Sequence, residues 1–133
     1  MLHKIDLKTR YRVEFQDVTA RVRDIVANSR VMDGLCYIFV PHTTAGIMIN
    51  EHADPAVVED IAAQLDAMAP QHKNYRHTEG NAPAHIKASI LGDSRTLFIE
   101  NGELVLGTWQ GIFFAEFDGP RSRSVFVKII ADR

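Results

Sequence analysis

The segment Leu97-Phe98-Ile99-Glu100-Asn101-Gly102-Glu103-Leu104-Val105-Leu106 constrains the fold more than any other stretch of the chain. Two apolar-rich runs are separated by Asn-Gly, the pair that most readily adopts the two positive φ angles of a type I′ turn. A chain that carries this hairpin contains antiparallel sheet, and the rest of it must bury one side of that sheet. Leu2 to Leu7 reads as a strand, as does Tyr11 to Phe15, where Tyr11, Val13 and Phe15 alternate with polar residues. After the Asp33-Gly34 turn, the unbroken apolar run Leu35 to Val40 predicts a strand buried on both faces. Ala45 to Ile49 gives a further short strand. Ile112 to Phe117 and Val125 to Ile130 form a pair about Asp118-Gly119-Pro120.

Two segments switch to helical spacing. From about Asp17, which can cap a first turn, Val18, Val22, Ile25 and Val26 share a face. Asp54-Pro55 is a helix start, with Asp at the N-cap and Pro at the first helical position. Val58, Ile61, Leu65 and Met68 then define a stripe that ends before Pro70. Residues 70–85 have no apolar period and predict a long loop, a feature that is usually functional in a compact domain. Two helices and about seven strands in 133 residues predict one α+β domain spanning 1–133. It is β-rich, a mostly antiparallel sheet or sandwich, and a hydrophobic share of 46% suffices to give it a core.

Charge and composition narrow the partners. The net charge is −2 and no basic tract could track a phosphate backbone, so no nucleic acid is expected. Met1-Leu2-His3-Lys4-Ile5-Asp6 lacks the apolar core of a secretory signal. No apolar run approaches the roughly 20 residues that span a bilayer. The expectation is a soluble cytoplasmic protein with no membrane partner. Cys36 is the only cysteine, which excludes an internal disulfide and a multi-cysteine zinc site; it reads as a small buried apolar residue.

Three constellations could carry chemistry. Pro41-His42-Thr43-Thr44-Ala45-Gly46, followed by Asn50-Glu51, begins at the end of the Leu35–Val40 strand. There His42 could bind metal or shuttle a proton, and two hydroxyls with nearby N–H groups could hold phosphate; the threonines could equally satisfy only loop backbone. In the loop, His77-x-Glu79-Gly80-Asn81 precedes Ala84-His85. His77 and His85 converge on one ion only if the loop folds back, and the spacing matches no standard zinc motif. His42 as a third imidazole, with Glu51, Glu79 and Glu116, strengthens a metal reading. The last group is Gly107-Thr108-Trp109-Gln110 with Glu116-x-Asp118-Gly119-Pro120-Arg121-Ser122-Arg123. Arg121 and Arg123, two apart in a continuing strand, would present two guanidinium forks to a phosphate; alternatively they pair with Asp118 or Glu116. Gln110 could bind an amide or ring nitrogen of a ligand, while Trp109 could either pack a hairpin end or share in the site. His3, His52 and His72 read as surface residues.

Taken together, these stretches resemble the YjbQ family. His42-Thr43-Thr44-Ala45-Gly46 with Asn50-Glu51 and Asp54-Pro55 resembles its first signature, and His77-x-Glu79-Gly80-Asn81-x-x-Ala84-His85 its second. Gly107-Thr108-Trp109-Gln110 and Glu116-x-Asp118-Gly119-Pro120-Arg121-x-Arg123 are similar to the third and fourth. The likeness runs from Leu35 almost to the C-terminus; Gly92-Asp93-Ser94 departs from the family's Gly-Ser-Ser or Gly-Pro-Ser. The resemblance implies a compact β-rich α+β fold, a homotrimer, and a secondary thiamine-phosphate synthase activity. In that reaction a pyrimidine methyl diphosphate alkylates a thiazole phosphate and expels pyrophosphate.

The resulting expectation is an enzyme acting on a phosphorylated small molecule. His42, His77 and His85 would surround a divalent ion, most simply zinc. Glu51 or Glu116 would act as base or ligand, with His42 catalytic. Thr43, Thr44, Asn50, Asn81, Gln110, Arg121 and Arg123 would bind substrate or phosphate. The chain has no Gly-rich phosphate loop of known type and no Asp-rich diphosphate motif, so the synthase reading rests on the resemblance. A metal-dependent hydrolase using the same histidines and a non-catalytic trimeric metabolite- or metal-binding protein are the competing readings.

Overall fold

A computed structural model describes residues 1–133. In chain order its elements are β1 (Leu2–Lys8), β2 (Glu14–Asp17), α1 (Thr19–Ser29), β3 (Gly34–Phe39), β4 (Ala45–Glu51), α2 (Pro55–Met68), α3 (Ala82–Leu91), β5 (Ser94–Glu100), β6 (Glu103–Leu104), β7 (Gln110–Glu116) and β8 (Ser122–Ala131). All strand pairings are antiparallel. A five-stranded sheet has the order β1-β8-β3-β5-β6, and a three-stranded sheet the order β2-β7-β4. The α+β single-domain expectation holds. No helix is long and apolar enough to cross a membrane.

The two sheets face each other across the main core. Ile5, Leu7, Cys36, Ile38, Val40, Leu97, Ile99, Val125 and Val127 point inward from the large sheet. They meet Ile47, Ile112 and Phe114 of the small sheet and Val18, Val22 and Val26 of the α1 segment. On its other side the small sheet packs Ala115 and Phe117 against Leu65 of α2 and Ala84 and Ala88 of α3. The molecule is therefore layered: large sheet, small sheet, then α2 and α3. Burial of Cys36 pushes its thiol up to about 12, so it stays protonated.

The hairpin forms as expected. Asn101 and Gly102 both have positive φ, 53° and 79°, and Ile99 pairs with Leu104. Helix α2 is also started by the expected residues, with Asp54 accepting the Ala56 N–H at 2.9 Å and Pro55 following.

Several expectations need correction. There are three helices and eight strands. The predicted loop over residues 70–85 ends at Asn81, where α3 begins. Its buried face is built from Ala82, Pro83, Ala84, Lys87 and Ala88, while Ile86 and Ile90 lie on the exposed side. The large apolar residues thus mark the wrong face. Met68 of the predicted α2 stripe is exposed. The Tyr11–Phe15 strand is displaced to Glu14–Asp17, with Tyr11 outside it.

β3 is not buried on both faces. Cys36 and Ile38 point inward, whereas Tyr37 and Phe39 are 40% and 44% exposed. In the register, Leu35 faces both Phe98 and Ile130, and Phe39 faces Phe126. The outer side of the large sheet is thus an apolar band that no other element covers.

At Gly34 the backbone of β3 leaves no room for a side chain against β8. A Cβ there would lie 2.1 Å from the Ile130 carbonyl oxygen. Because backbone cannot rotate away as a side chain can, Gly34→Ala is expected to cost about 1–3 kcal/mol. Urea unfolding measures it, and an unchanged midpoint would show that the strand end is slack.

Candidate functional site

The large sheet's β8 and the small sheet's β4 and β7 bring Thr44, Glu116 and Arg123 together at one end of the sandwich, around a buried ion pair. Glu116, at the end of β7, is fully buried. Its Oε1 accepts the Thr9 hydroxyl at 2.8 Å and Arg123 Nε at 2.8 Å. Its Oε2 accepts the Asp118 N–H at 3.0 Å and a second Arg123 nitrogen. Arg123 completes its fork on the Thr44 hydroxyl at 2.8 Å. Burial alone would raise the Glu116 carboxyl. The bonds from Arg123, Asp118 and Thr9 outweigh it and hold the group below its ordinary value.

This arrangement corrects three site expectations. Arg123 and Thr44 are 6% and 5% exposed and bind each other, so neither is free to take a phosphate. The arginines do not act as a two-residue fork, because Arg121 precedes the strand that Arg123 belongs to. Glu116 has its acceptor positions occupied, and so serves as an anchor and not as a base.

Outside this anchor runs a second chain of hydrogen bonds. His77 Nε2 lies 3.0 Å from Asn81 Oδ1. Asn81 Nδ2 donates to Asp118 Oδ2 at 2.9 Å. Arg121 donates to the same Asp118 oxygen at 2.9 Å, and through Nε to the Asp118 carbonyl at 2.8 Å. The direction of the chain assigns a proton to His77 Nε2, since the Asn81 oxygen can only accept. Burial acts to raise Asp118, but the bonds from Asn81 and Arg121 hold it below its ordinary value, so it is an ionised hub. Arg121 is about half exposed, and its Nη1 group makes no hydrogen bond within the chain.

His42 and Thr43 face helix α3 across a cleft of about 440 Å³, whose other walls are Ala45, His85, Ala88, Ser89, Gly92 and Asp93. His42 Nε2 accepts the Ser124 N–H at 3.0 Å. Its burial, then the Arg123 charge, depress its protonation, with Glu116 pulling the other way. A neutral ring with its proton on Nδ1 results. His85 lies edge-on to His77, with ring centroids 5.1 Å apart.

His77 and His85 are thus brought together, as the sequence suggested. His42 is on the opposite wall, and no group of three His, Cys, Asp or Glu side chains converges on a metal position. The expected three-histidine zinc set is not assembled within one chain. The reason is that His42 is fixed on the β3–β4 connection by Ser124, while His77 is fixed by Asn81.

Asn50, Glu51 and Gln110 are elsewhere. Ala45 pairs with Glu116 at one end of the β4–β7 ladder, and Glu51 pairs with Gln110 at the other. Six residue steps at roughly 3.3 Å each separate the two ends by about 20 Å. At that far end each side chain is engaged locally. Asn50 Oδ1 accepts the Glu51 N–H, Glu51 Oε2 accepts the Asp54 N–H, and Gln110 Oε1 accepts the Gly107 N–H. Reading Glu51 alongside His42 is corrected by strand length. Ser89 and Asp93 were missed because α3 was not assigned; Asp118 was visible beside Glu116, but its link to Asn81 spans 37 residues.

A family model described as UPF0047 protein YjbQ-like matches residues 3–132. UPF0047 protein MJ1081 of Methanocaldococcus jannaschii is 53% identical over 133 residues, which is 100% of this chain and 96% of that protein. UPF0047 protein YugU of Bacillus subtilis is 46% identical, covering 98% of this chain and 99% of its own. Among solved structures, a YjbQ/UPF0047 family protein from Clostridium acetobutylicum superimposes with a TM-score of 0.94 at 55% identity, covering 96% of this chain and 99% of that one. A YbjQ-like protein of unknown function from Sulfolobus solfataricus gives 0.96 at 37% identity, over 99% and 97%.

Proposed function

The chain belongs to the YjbQ-like UPF0047 family, and from that premise we propose that it is an enzyme acting on a phosphorylated small molecule at the His42–α3 cleft. The observation that carries the reading is the relay from His77 through Asn81 and Asp118 to Arg121. It holds an outward guanidinium and an imidazole in fixed orientation on one side of the molecule. Preorganised donors of this kind stabilise charge that develops on a departing phosphate. The reaction is the one that the family resemblance implies. The thiazole nitrogen bonds to the pyrimidine methylene as the bond from that carbon to the diphosphate oxygen breaks. Arg121 binds the diphosphate, His85 donates a hydrogen bond to the leaving pyrophosphate, His77 stands edge-on behind it, and Thr43 contributes a hydroxyl.

His77 and His85 are the donors that this chain offers to a zinc ion, with phosphate and water oxygens needed to complete its shell. Bound there, zinc would supply Lewis-acid stabilisation of the phosphate charge. The active species is proposed as a homotrimer in the cytoplasm. The uncovered apolar band of Leu35, Phe39, Phe98, Phe126 and Ile130 supports assembly with further copies.

The test is incubation with a pyrimidine methyl diphosphate and a thiazole phosphate, with and without zinc. Thiamine phosphate and pyrophosphate are expected together, and neither from a His77→Ala/His85→Ala variant. Diphosphate breakdown without the thiazole phosphate would replace the synthase with a hydrolase. Binding of both compounds without turnover would leave a trimeric metabolite-binding protein. Zinc uptake in the presence of pyrophosphate should likewise disappear in the double variant; equal zinc content in the two folded proteins would remove the metal from the proposal.

A further inference from the structure

The far end of the small sheet holds a side-chain pair that the proposed reaction does not use. His52 Nδ1 lies 2.8 Å from Asp17 Oδ2. The other Asp17 oxygen accepts the Thr19 N–H at 2.9 Å and the Thr19 hydroxyl at 2.5 Å, so both carboxylate oxygens are fixed. Thr19 is itself buried, and its hydroxyl accepts the Ile112 N–H at 2.8 Å, which ties the carboxylate to the core of β7. The backbone of His52 is held too, its N–H donating to the Trp109 carbonyl at 3.0 Å. Its ring lies on bare backbone: a Cβ at Gly111 would come within 2.3 Å of Nδ1.

These restraints decide the tautomer. Burial acts to raise Asp17, but the bonds from Thr19 and then His52 hold it below its ordinary value. An ionised carboxylate can only accept, so the ring proton of neutral His52 is on Nδ1 and Nε2 carries a lone pair. The imidazole side chain is 32% exposed, enough to be reached by solvent and ligand. The backbone carbonyl of Trp109 accepts from His52, and Trp109 is 64% exposed.

We propose that His52, positioned by Asp17, is the general base of a second reaction centre that hydrolyses esters carrying a planar aromatic group, which lies against Trp109. Nε2 takes a proton from water as the water oxygen bonds to the ester carbonyl carbon. The Asp17 carboxylate balances the imidazolium formed. The bond from that carbon to the alcohol oxygen then breaks, and Nε2 returns the proton to the departing alcohol. Ester and water become acid and alcohol, with no other reactant. His52 is the catalytic residue in this scheme and Asp17 a positioning residue.

The test uses the full chain and p-nitrophenyl acetate. Wild type is expected to release p-nitrophenol at least about a hundredfold faster than imidazole at equal histidine concentration, the modest end of general-base effects. His52→Gln should remove that excess, while His72→Gln, which alters an exposed histidine outside the pair, should not. In Asp17→Asn the amide can donate to Nδ1 and drive the proton onto Nε2. The rate should fall by about tenfold or more, and long-range ¹H–¹⁵N spectra should show the switched tautomer, which a merely structural role would not produce. Trp109→Ala should raise KM with kcat retained. Equal rates in wild type and His52→Gln would overturn the proposal, as would a switched tautomer in Asp17→Asn with no loss of rate. An unchanged KM in Trp109→Ala would overturn the aromatic specificity.

Discussion

Breaking the Glu116–Arg123 pair from either side is expected to cost about 3–5 kcal/mol, the range for removing one partner of a buried ion pair. Arg123→Met would leave a carboxylate with no exposure and no counter-charge, and Glu116→Gln would strand a guanidinium that is 6% exposed. The pair is not intrinsically worth that amount, since desolvation offsets much of the attraction. Glu116→Leu combined with Arg123→Met should therefore recover a large part of the loss. It should fall short of wild type, because the Thr9 hydroxyl and the Asp118 N–H lose their acceptor. The pair also sets a pH dependence. The folded Glu116 lies below its ordinary value of 4.5, so its contribution is present above that pH and is lost as pH falls through the lower folded value. Wild type should weaken in acid more steeply than the double variant. Denaturant titrations at neutral and acid pH measure both effects. Single variants within about 1 kcal/mol of wild type would show that water reaches the pair.

Arg121→Lys should weaken pyrophosphate binding by roughly tenfold to a hundredfold, corresponding to about 1.5–3 kcal/mol for hydrogen bonds to a charged group. Arg121 already donates to the carbonyl and the carboxylate of Asp118, and still has N–H groups to spare. Lysine keeps the charge but cannot hold both Asp118 oxygens and a phosphate in one planar fork. Asn81→Ala should have a smaller effect of the same sign, by freeing Asp118 and loosening the arginine it orients. Calorimetric titration with pyrophosphate decides the point. Wild-type affinity in both Arg121→Lys and Arg121→Ala would move the anion site elsewhere.

The parts of this fold that were legible from the residues are those governed by local rules. Asn101-Gly102 dictates its turn and Asp54-Pro55 its helix start, whatever surrounds them. Helix α3 was illegible because its core contacts are made by alanines and by the stem of Lys87, which carry no strong apolar signal. The outward side of β3 was misread for the opposite reason: Leu35, Tyr37 and Phe39 look like core, yet lie on a face with nothing over it. In the site, the partnerships were not legible. His77, Asn81, His85 and Arg121 fall on one side of the molecule. Arg123, Thr44 and Glu116 saturate one another, a relation across 79 and seven residues that no spacing rule encodes. Asn50, Glu51 and Gln110 went astray because the uninterrupted β4 and β7 ladder places them at the other end of the sheet.

The place of β8 has a consequence for the order in which the chain can fold as it is made. β8 lies between β1 and β3 and supplies the ladder for both, pairing Leu2 with Lys128 and Phe39 with Phe126. On a ribosome, β1 emerges more than a hundred residues before its only neighbour, and β3 has just β5 for company until then. Contacts so distant along the chain are slow to form, and strand edges left open meanwhile invite pairing with other nascent chains. Helix α1, the β3–β5 pair and the β5–β6 hairpin can organise during synthesis, whereas the sandwich closes as a single late event when β8 arrives. A chain stalled after Gln110 should accordingly expose β1 to protease and recruit chaperones, and release of the β8 segment should abolish both.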